Sequence, residues 1–176
     1  DDIITVTSLR DRQDLVTPVA ELLNSFWPRN PSIREASLRR AYDEDLPHHV
    51  VLLKNDVPVG HATLLSIVEP KTGLYVESVI IDKSMRGTGL GRRLMEETEK
   101  VVKSKGYTSV HLSTKDQEGF YTKVGYKRSE PITQLGANAK LLSTDQVNGL
   151  LKLFGGSGPQ ASKAGDTKVW MKKDLA

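Results

Sequence analysis

Residues 76–95 read Val-Glu-Ser-Val-Ile-Ile-Asp-Lys-Ser-Met-Arg-Gly-Thr-Gly-Leu-Gly-Arg-Arg-Leu-Met, and they constrain the chain more than any other stretch. An apolar run passes through a glycine-rich turn and continues as a helix. Gly87, Gly89 and Gly91 stand between Arg86 and the pair Arg92-Arg93. Glycine lets the backbone approach a bound group closely and take unusual dihedrals. The first amides of the following helix have no partner inside it, and the positive end of the helix dipole lies behind them. Together these make a site for phosphate. Its candidate residues are Arg86, Gly87, Thr88, Gly89, Leu90, Gly91 and Arg92. The P-loop pattern needs Gly-Lys-Ser/Thr, which is absent, and in the dinucleotide fingerprint the third glycine would come one residue later. A turn that only joins strand to helix needs one glycine, not three flanked by arginines.

The rest of the chain supplies a sheet and helices around this turn. Residues 3–9 read as a strand. Pro18 opens a helix with Val19, Leu22, Leu23 and Phe26 at helical spacing. Trp27-Pro28-Arg29-Asn30-Pro31 ends it, and a second helix starts near Ser32, with Glu35 completing a capping box. Residues 49–54 and 59–68 form a hairpin through Asn55-Asp56, with a bulge at Gly60. Residues 74–81 are the central strand. Residues 90–105 make the clearest helix, supported by Glu96–Lys100 and Glu99–Lys103 pairs and ended by Gly106. A strand at 109–113, a helix at 116–124 ended by Gly125, and strands at 126–128 and 168–172 follow. Between the last two, residues 131–166 hold a short helix at 143–154 and a Gly/Ser-rich loop at 155–166, which is either natural or an engineered replacement. The order is βααβββαβαββ, an α/β or α+β sandwich with helices over both sheet faces.

The 176 residues suit a single domain. With no cysteine, disulfides, thiolate metal sites and a cysteine nucleophile are excluded, and a cytoplasmic location is compatible. Four histidines lack helical metal spacing, so no metal is expected. No apolar run spans a bilayer and no secretory signal opens the chain, so no membrane contact is expected. A net charge of +3, with 22 acidic residues among the basic ones, does not call for nucleic acid.

After a strand, Arg86-x-x-Gly89-x-Gly91 resembles the acetyl-CoA pyrophosphate loop of the GNAT acetyltransferase superfamily. A second motif, Phe120-Tyr121-x-Lys123-x-Gly125-Tyr126, resembles that superfamily's helix–strand segment near the acetyl-CoA thiol. Further matches are Glu21 to Asn24 with Trp27-Pro28-Arg29, and His111-Leu-Ser-Thr114-x-Asp116-Gln117. With these, residues 18–130 are similar to the actin N-terminal acetyltransferase family. The resemblance implies a GNAT fold with a mixed, mostly antiparallel sheet, acetyl-CoA as co-substrate and actin as protein substrate. It also implies that Tyr121 donates a proton to the departing CoA thiolate. Relatives in that family can carry a long proline-rich insert before the last strand. Only the Gly/Ser stretch stands here, so no profilin contact through such an insert is expected, and the chain is expected to be a monomer.

The chemistry is direct acyl transfer. The central strand, ending in Val79-Ile80-Ile81, should splay from its neighbour and offer backbone amides to the pantetheine arm and the acetyl carbonyl, one of them stabilising the oxyanion. A terminal α-amine with a pKa of about 8 is roughly a tenth neutral near pH 7, so a weak base or water suffices. Candidate bases are Glu77, which strand alternation puts on one face with Val79, and His111 or Ser113 on the next strand. Arg29, Arg34, Arg39 and Arg40 lie on the segment that forms one wall of the acceptor groove in GNATs. Arginine forks bind carboxylates, which suits an acidic N-terminus. Trp27 is either a groove wall or a core anchor. His61, Ser113 and Thr114 are further substrate-binding candidates. The alternatives are a GNAT enzyme for a lysine or small-molecule amine, and a non-catalytic acyl-CoA-binding module.

Overall fold

The computed structural model of the chain describes residues 2–132 and 168–176. The helix expected at 143–154 and the Gly/Ser-rich loop lie outside the described residues. Within them the elements are β1 (Ile4–Ser8), α1 (Val16–Asn24), α2 (Pro31–Arg39), β2 (His48–Lys54), β3 (Val57–Ser66), β4 (Gly73–Ile81), α3 (Leu90–Ser104), β5 (Ser109–Thr114), α4 (Glu118–Lys123), β6 (Lys127–Arg128) and β7 (Val169–Asp174). Short 3-10 turns precede α1 and follow β4. The order matches the one expected from periodicity and breakers. The strands hydrogen-bond in the order β1-β2-β3-β4-β5-β7-β6, a mixed seven-stranded sheet.

The described residues fall into two compact units: residues 2–64 with 76–101, and residues 65–75 with 102–132 and 168–176. β3 and β4 run through both. In the first unit, β1, β2 and β3 are antiparallel. The β2–β3 hairpin turns on Asn55 and Asp56, both at positive φ (51° and 66°), the geometry a two-residue loop needs to match strand twist. The register shifts between Leu52 and Leu53, next to Gly60. A Cβ on Gly60 would lie 2.9 Å from Ile81 Cδ1 and 3.2 Å from Leu52 Cβ, so any side chain there would have to push both neighbours aside. Leu9, Val19, Leu22, Leu23, Leu38, Val51, Leu53 and Ile80 form this unit's core under α1 and α2.

In the second unit, β4 pairs in parallel with β5 over Gly73–Tyr75 against Ser109–His111. β5 pairs antiparallel with β7, which pairs with β6. Leu65, Ile67 and Tyr75 form a core with Trp170 and Ile132 packed on it. β4 continues for six residues beyond its three-pair ladder with β5. On α3, Lys100 goes to Glu97 at 3.2 Å, and Arg93 joins the same carboxylate at 3.3 Å, in place of the expected Glu96–Lys100 pair.

Candidate active site

The glycine turn is built from the end of β4 downwards. The Asp82 carboxylate accepts the Ser84 amide at 2.9 Å and its hydroxyl at 2.7 Å; these bonds hold its pKa below the usual carboxylate range. The Asp82 amide donates to Val59 O at 2.7 Å, tying the turn to β3. Thr88 Oγ1 donates to Met85 O at 2.5 Å. Gly87 and Gly89 have φ of 78° and 82°, yet a Cβ on either would meet nothing within 4 Å. Conformation, not crowding, demands glycine there. The Arg93 amide donates to Gly89 O at 3.2 Å, so the amides of Leu90, Gly91 and Arg92 precede the helical ladder of α3. Arg86 and Lys83 lie over the Phe26 ring at 5.1 and 5.5 Å. That arrangement fits an anion with several oxygens, such as a pyrophosphate. The sequence reads Phe26 as part of the apolar stripe of the first helix, but α1 ends at Asn24 and Phe26 lies just beyond it. Its second role as a platform for the loop's cations has no signature in the sequence.

The corner between α1 and α2 carries the arginines. Pro31 takes the first helical position of α2, so the cap falls on Asn30, whose Oδ1 accepts the Ile33 amide at 3.2 Å. The expected Ser32–Glu35 capping box does not form; Glu35 accepts from Thr17 Oγ1 at 2.5 Å instead. Arg34 turns inward and is 9% exposed. Its Nε donates to Asn24 Oδ1 at 3.0 Å and its Nη2 to the Trp27 carbonyl. Among the described residues no carboxylate pairs with it. Burial, then the charge of Arg29, lowers its pKa. Trp27 is 45% exposed and tilts against Phe26, which settles it as surface rather than core. Arg29, Arg39 and Arg40 are exposed.

β4 is not a regular strand. Ser78 has φ of 53°, so the alternation expected to put Glu77 and Val79 on one face is interrupted between them. Glu77 and Val79 are half-buried, Ile80 is buried and Ile81 half-buried. Nothing in Val-Glu-Ser-Val announces this kink. The placement of His61 in the acceptor groove is also corrected. Its side chain is fully buried, with Nδ1 2.8 Å from Ser78 O and Nε2 3.0 Å from His49 Nδ1. Burial pushes its pKa down to about 4 and lowers that of His49 in the same way.

In the second unit, Tyr75 Oη and Ser113 Oγ share a hydrogen bond of 2.9 Å. Tyr75 is a core residue of this unit whose hydroxyl still finds a partner in Ser113. Tyr121 is 7% exposed and packs edge-on to Phe120 and Tyr126. Burial, then Tyr75 and Asp116, raises its pKa to about 12, so the phenol keeps its proton. His111 is 4% exposed and its Nε2 lies 2.8 Å from Ser109 Oγ. Burial, then Lys172, lowers its pKa against an opposing pull from Asp174. That interior position suits packing against Gly73 better than exchanging protons with a substrate. Thr114 Oγ1 accepts the Gln117 amide at 3.0 Å, which shapes the entry to α4.

Residues 16–126 match the model of the acetyltransferase (GNAT) family. The chain belongs to that family. Among relatives of this GNAT chain, mouse N-alpha-acetyltransferase 80 is 35% identical over 148 residues, covering 80% of the chain. The chain spans only 47% of that relative's length. The peptidyl-lysine N-acetyltransferase YjaB of Escherichia coli (strain K12) is 32% identical over 113 residues, covering 62% of this chain and 71% of YjaB. A crystal structure of aminoglycoside 6'-N-acetyltransferase complexed with coenzyme A shares the fold, with TM-score 0.67, 19% identity and coverage of 99% and 97% of the two chains. Among the described residues no helix is long and apolar enough to cross a membrane, and no group of three or more His, Cys, Asp or Glu could hold a metal.

Proposed function

We propose that the protein transfers the acetyl group of acetyl-CoA to the free N-terminal α-amine of a protein whose chain begins with acidic residues, with processed actin as the candidate, in the cytoplasm and as a monomer. The observation that carries this reading is Arg34: a buried guanidinium without a carboxylate partner among the described residues, beside exposed Trp27 and Arg29. A buried cation lacking a counter-charge is costly, and an incoming carboxylate offsets that cost. The likeness to N-alpha-acetyltransferase 80 supports the same reading.

In this reading Arg86 and the amides at the start of α3 hold the CoA pyrophosphate, and the Val79–Ile81 backbone binds the pantetheine arm and the acetyl oxygen. The amine nitrogen attacks the thioester carbon, the C–S bond breaks, and the amine loses a proton to water or a weak base such as Glu77. Tyr121 needs a finer role than proton donor. With its phenol at about 12 and a thiol at about 8.5, full transfer to the thiolate runs uphill. The phenol instead donates a hydrogen bond to the sulfur as charge grows there.

The rival reading is a lysine acetyltransferase, which the likeness to YjaB favours. A lysine with a pKa of about 10.4 is neutral in roughly one molecule in two thousand near pH 7, so that reaction needs a strong base. CoA release separates the readings, and with no cysteine in the enzyme a thiol reagent reports it cleanly. Turnover is expected on Asp-Asp-Asp-Ile with a free terminus, and little on its Asn counterpart, on a neutral start or on a blocked terminus with an internal lysine. Equal turnover on neutral peptides or on lysine removes the substrate assignment, and CoA binding without any turnover leaves a binding module.

A further inference from the structure

The buried cluster under β2 and β3 fixes its own proton order. His61 Nδ1 lies 2.8 Å from the Ser78 carbonyl oxygen, which can only accept, so Nδ1 carries the proton and Nε2 is an acceptor. His49 Nδ1, 3.0 Å from that Nε2, must then donate to it. Thr63 Oγ1 lies 3.1 Å from His49 Nδ1 and 3.2 Å from His61 Nε2 and braces both rings. The chain of donation therefore runs from His49 through His61 and ends on Ser78.

Ser78 is where the polypeptide departs from a strand. Its φ of 53° lies in the left-handed region, which costs a non-glycine residue about 1–2 kcal/mol. Such a conformation persists only where the surroundings over-determine it. Here a rigid, fully buried imidazole holds the carbonyl on one side of the kink. On the other side Ile81 packs against the Cα of Gly60, and the Asp82 amide is bonded to Val59 O.

We propose that His61 is a positioning residue for acetyl transfer: by holding the Ser78 carbonyl it maintains the kink in β4 and so sets the direction in which the Val79–Ile81 backbone meets the thioester. This rests on the proposed role of that segment in binding acetyl-CoA. The side chain never touches substrate; its effect is on the angle of the groups that do. Misplacing a reacting group by about 1 Å can cost about 100-fold in rate.

Two amides separate this role from simple core packing. Asn places its NH2 about where Nδ1 stands and keeps the bond to Ser78, whereas Gln reaches toward Nε2 and loses it. His61→Asn is expected to keep kcat within threefold of wild type. His61→Gln is expected to lose about 100-fold in kcat with CoA affinity within twofold, and to exchange the Val79–Ile81 amides at least tenfold faster in the unliganded protein. Adding Ser78→Gly, which takes the left-handed conformation without strain, should restore at least fivefold to His61→Gln. Equal losses in the Asn and Gln variants, or unchanged exchange in the Gln variant, would overturn the proposal. If His61→Gln does not fold, His61→Asn carrying wild-type exchange at these amides supports it and accelerated exchange sinks it. Should the wild type turn over no peptide, the function proposed above fails, while the exchange comparison still decides the role of His61.

Discussion

The Arg34 guanidinium donates to the main-chain carbonyl of Trp27, so the buried cation and the exposed ring of the α1–α2 corner are fixed to each other. Arg34→Met removes two hydrogen bonds: Asn24 Oδ1 keeps only the Arg29 amide, at 3.2 Å, and the Trp27 carbonyl loses its side-chain donor. A loss of about 1–3 kcal/mol in unfolding free energy is expected by urea titration. Arg29→Gln, at an exposed position, should leave stability unchanged and raise KM for an acidic peptide several-fold. An Arg29 variant with an unaltered preference for acidic over neutral peptides would remove it from the acceptor wall.

Tyr121→Phe tests the hydrogen bond to sulfur. Turnover should fall about 100-fold, the low end of what removing one hydrogen-bond donor to a developing charge costs, while CoA affinity stays within a few-fold. With the phenol at about 12, the pH–kcat profile should show no ionisation from Tyr121 below pH 11. Wild-type turnover in the Phe variant would dismiss the role.

The Arg86 guanidinium lies over the Phe26 face at 5.1 Å, and in the proposed reading it also meets a phosphate of CoA. Arg86→Gln is expected to weaken CoA binding about tenfold in low salt, with the difference shrinking as salt rises, since the lost term is a charge-assisted hydrogen bond. Phe26→Leu keeps the apolar packing but removes the ring, and should cost CoA affinity less. Isothermal titration at two salt concentrations measures both, and an unaffected affinity in the Arg86 variant would rule the loop out as the phosphate site.

How far the sequence led follows from which signals are local. The glycine turn, the hairpin at Asn55-Asp56 and the caps at Gly106 and Gly125 were legible because each depends on a backbone conformation that few residues tolerate, and all four show positive φ. The acetyltransferase fold was legible from the same loop set between strand and helix. The Ser78 kink was not, because a serine carries no left-handed signature and the ring bonded to its carbonyl, His61, lies seventeen residues away in the chain. Nor was the split among the arginines. Helical spacing gives a direction around α2, but Arg34 points inward because Asn24 and Trp27, on the preceding helix and loop, offer it acceptors. The Ser32 cap failed for a local reason that Pro31 and Asn30 had already supplied.

Gly73 is required by space and not by conformation. A Cβ there would lie 2.5 Å from Ser109 Oγ and 2.7 Å from two atoms of the His111 ring. The ring is buried and bonded to Ser109, so it cannot simply rotate away. Gly73→Ala should therefore cost about 1–3 kcal/mol of stability, the usual range for overpacking a filled interior. A lowered thermal midpoint is the expected result; an unchanged one would mean that the His111 ring has room the geometry does not reveal.

Acid should destabilise this protein earlier than its carboxylates alone would dictate. His61 is neutral in the fold, with its pKa pushed down to about 4 from about 6.5 in an unfolded chain. Between those values the unfolded chain binds a proton that the native state refuses, so stability falls as pH drops from about 6.5 to about 4 and levels off below. The full effect of His61 is about 3 kcal/mol, and His49 and His111 act in the same direction. The lowered carboxylates Asp14, Asp56 and Asp82 titrate below this window and add their losses only at still lower pH. Urea unfolding at pH 7.5, 6, 5 and 4 should show the steepest loss between 6 and 4.5. The slope there should be shallower in His61→Asn, which cannot take up the proton in either state. A flat profile down to pH 4.5 would mean that the buried histidines can charge inside the native fold.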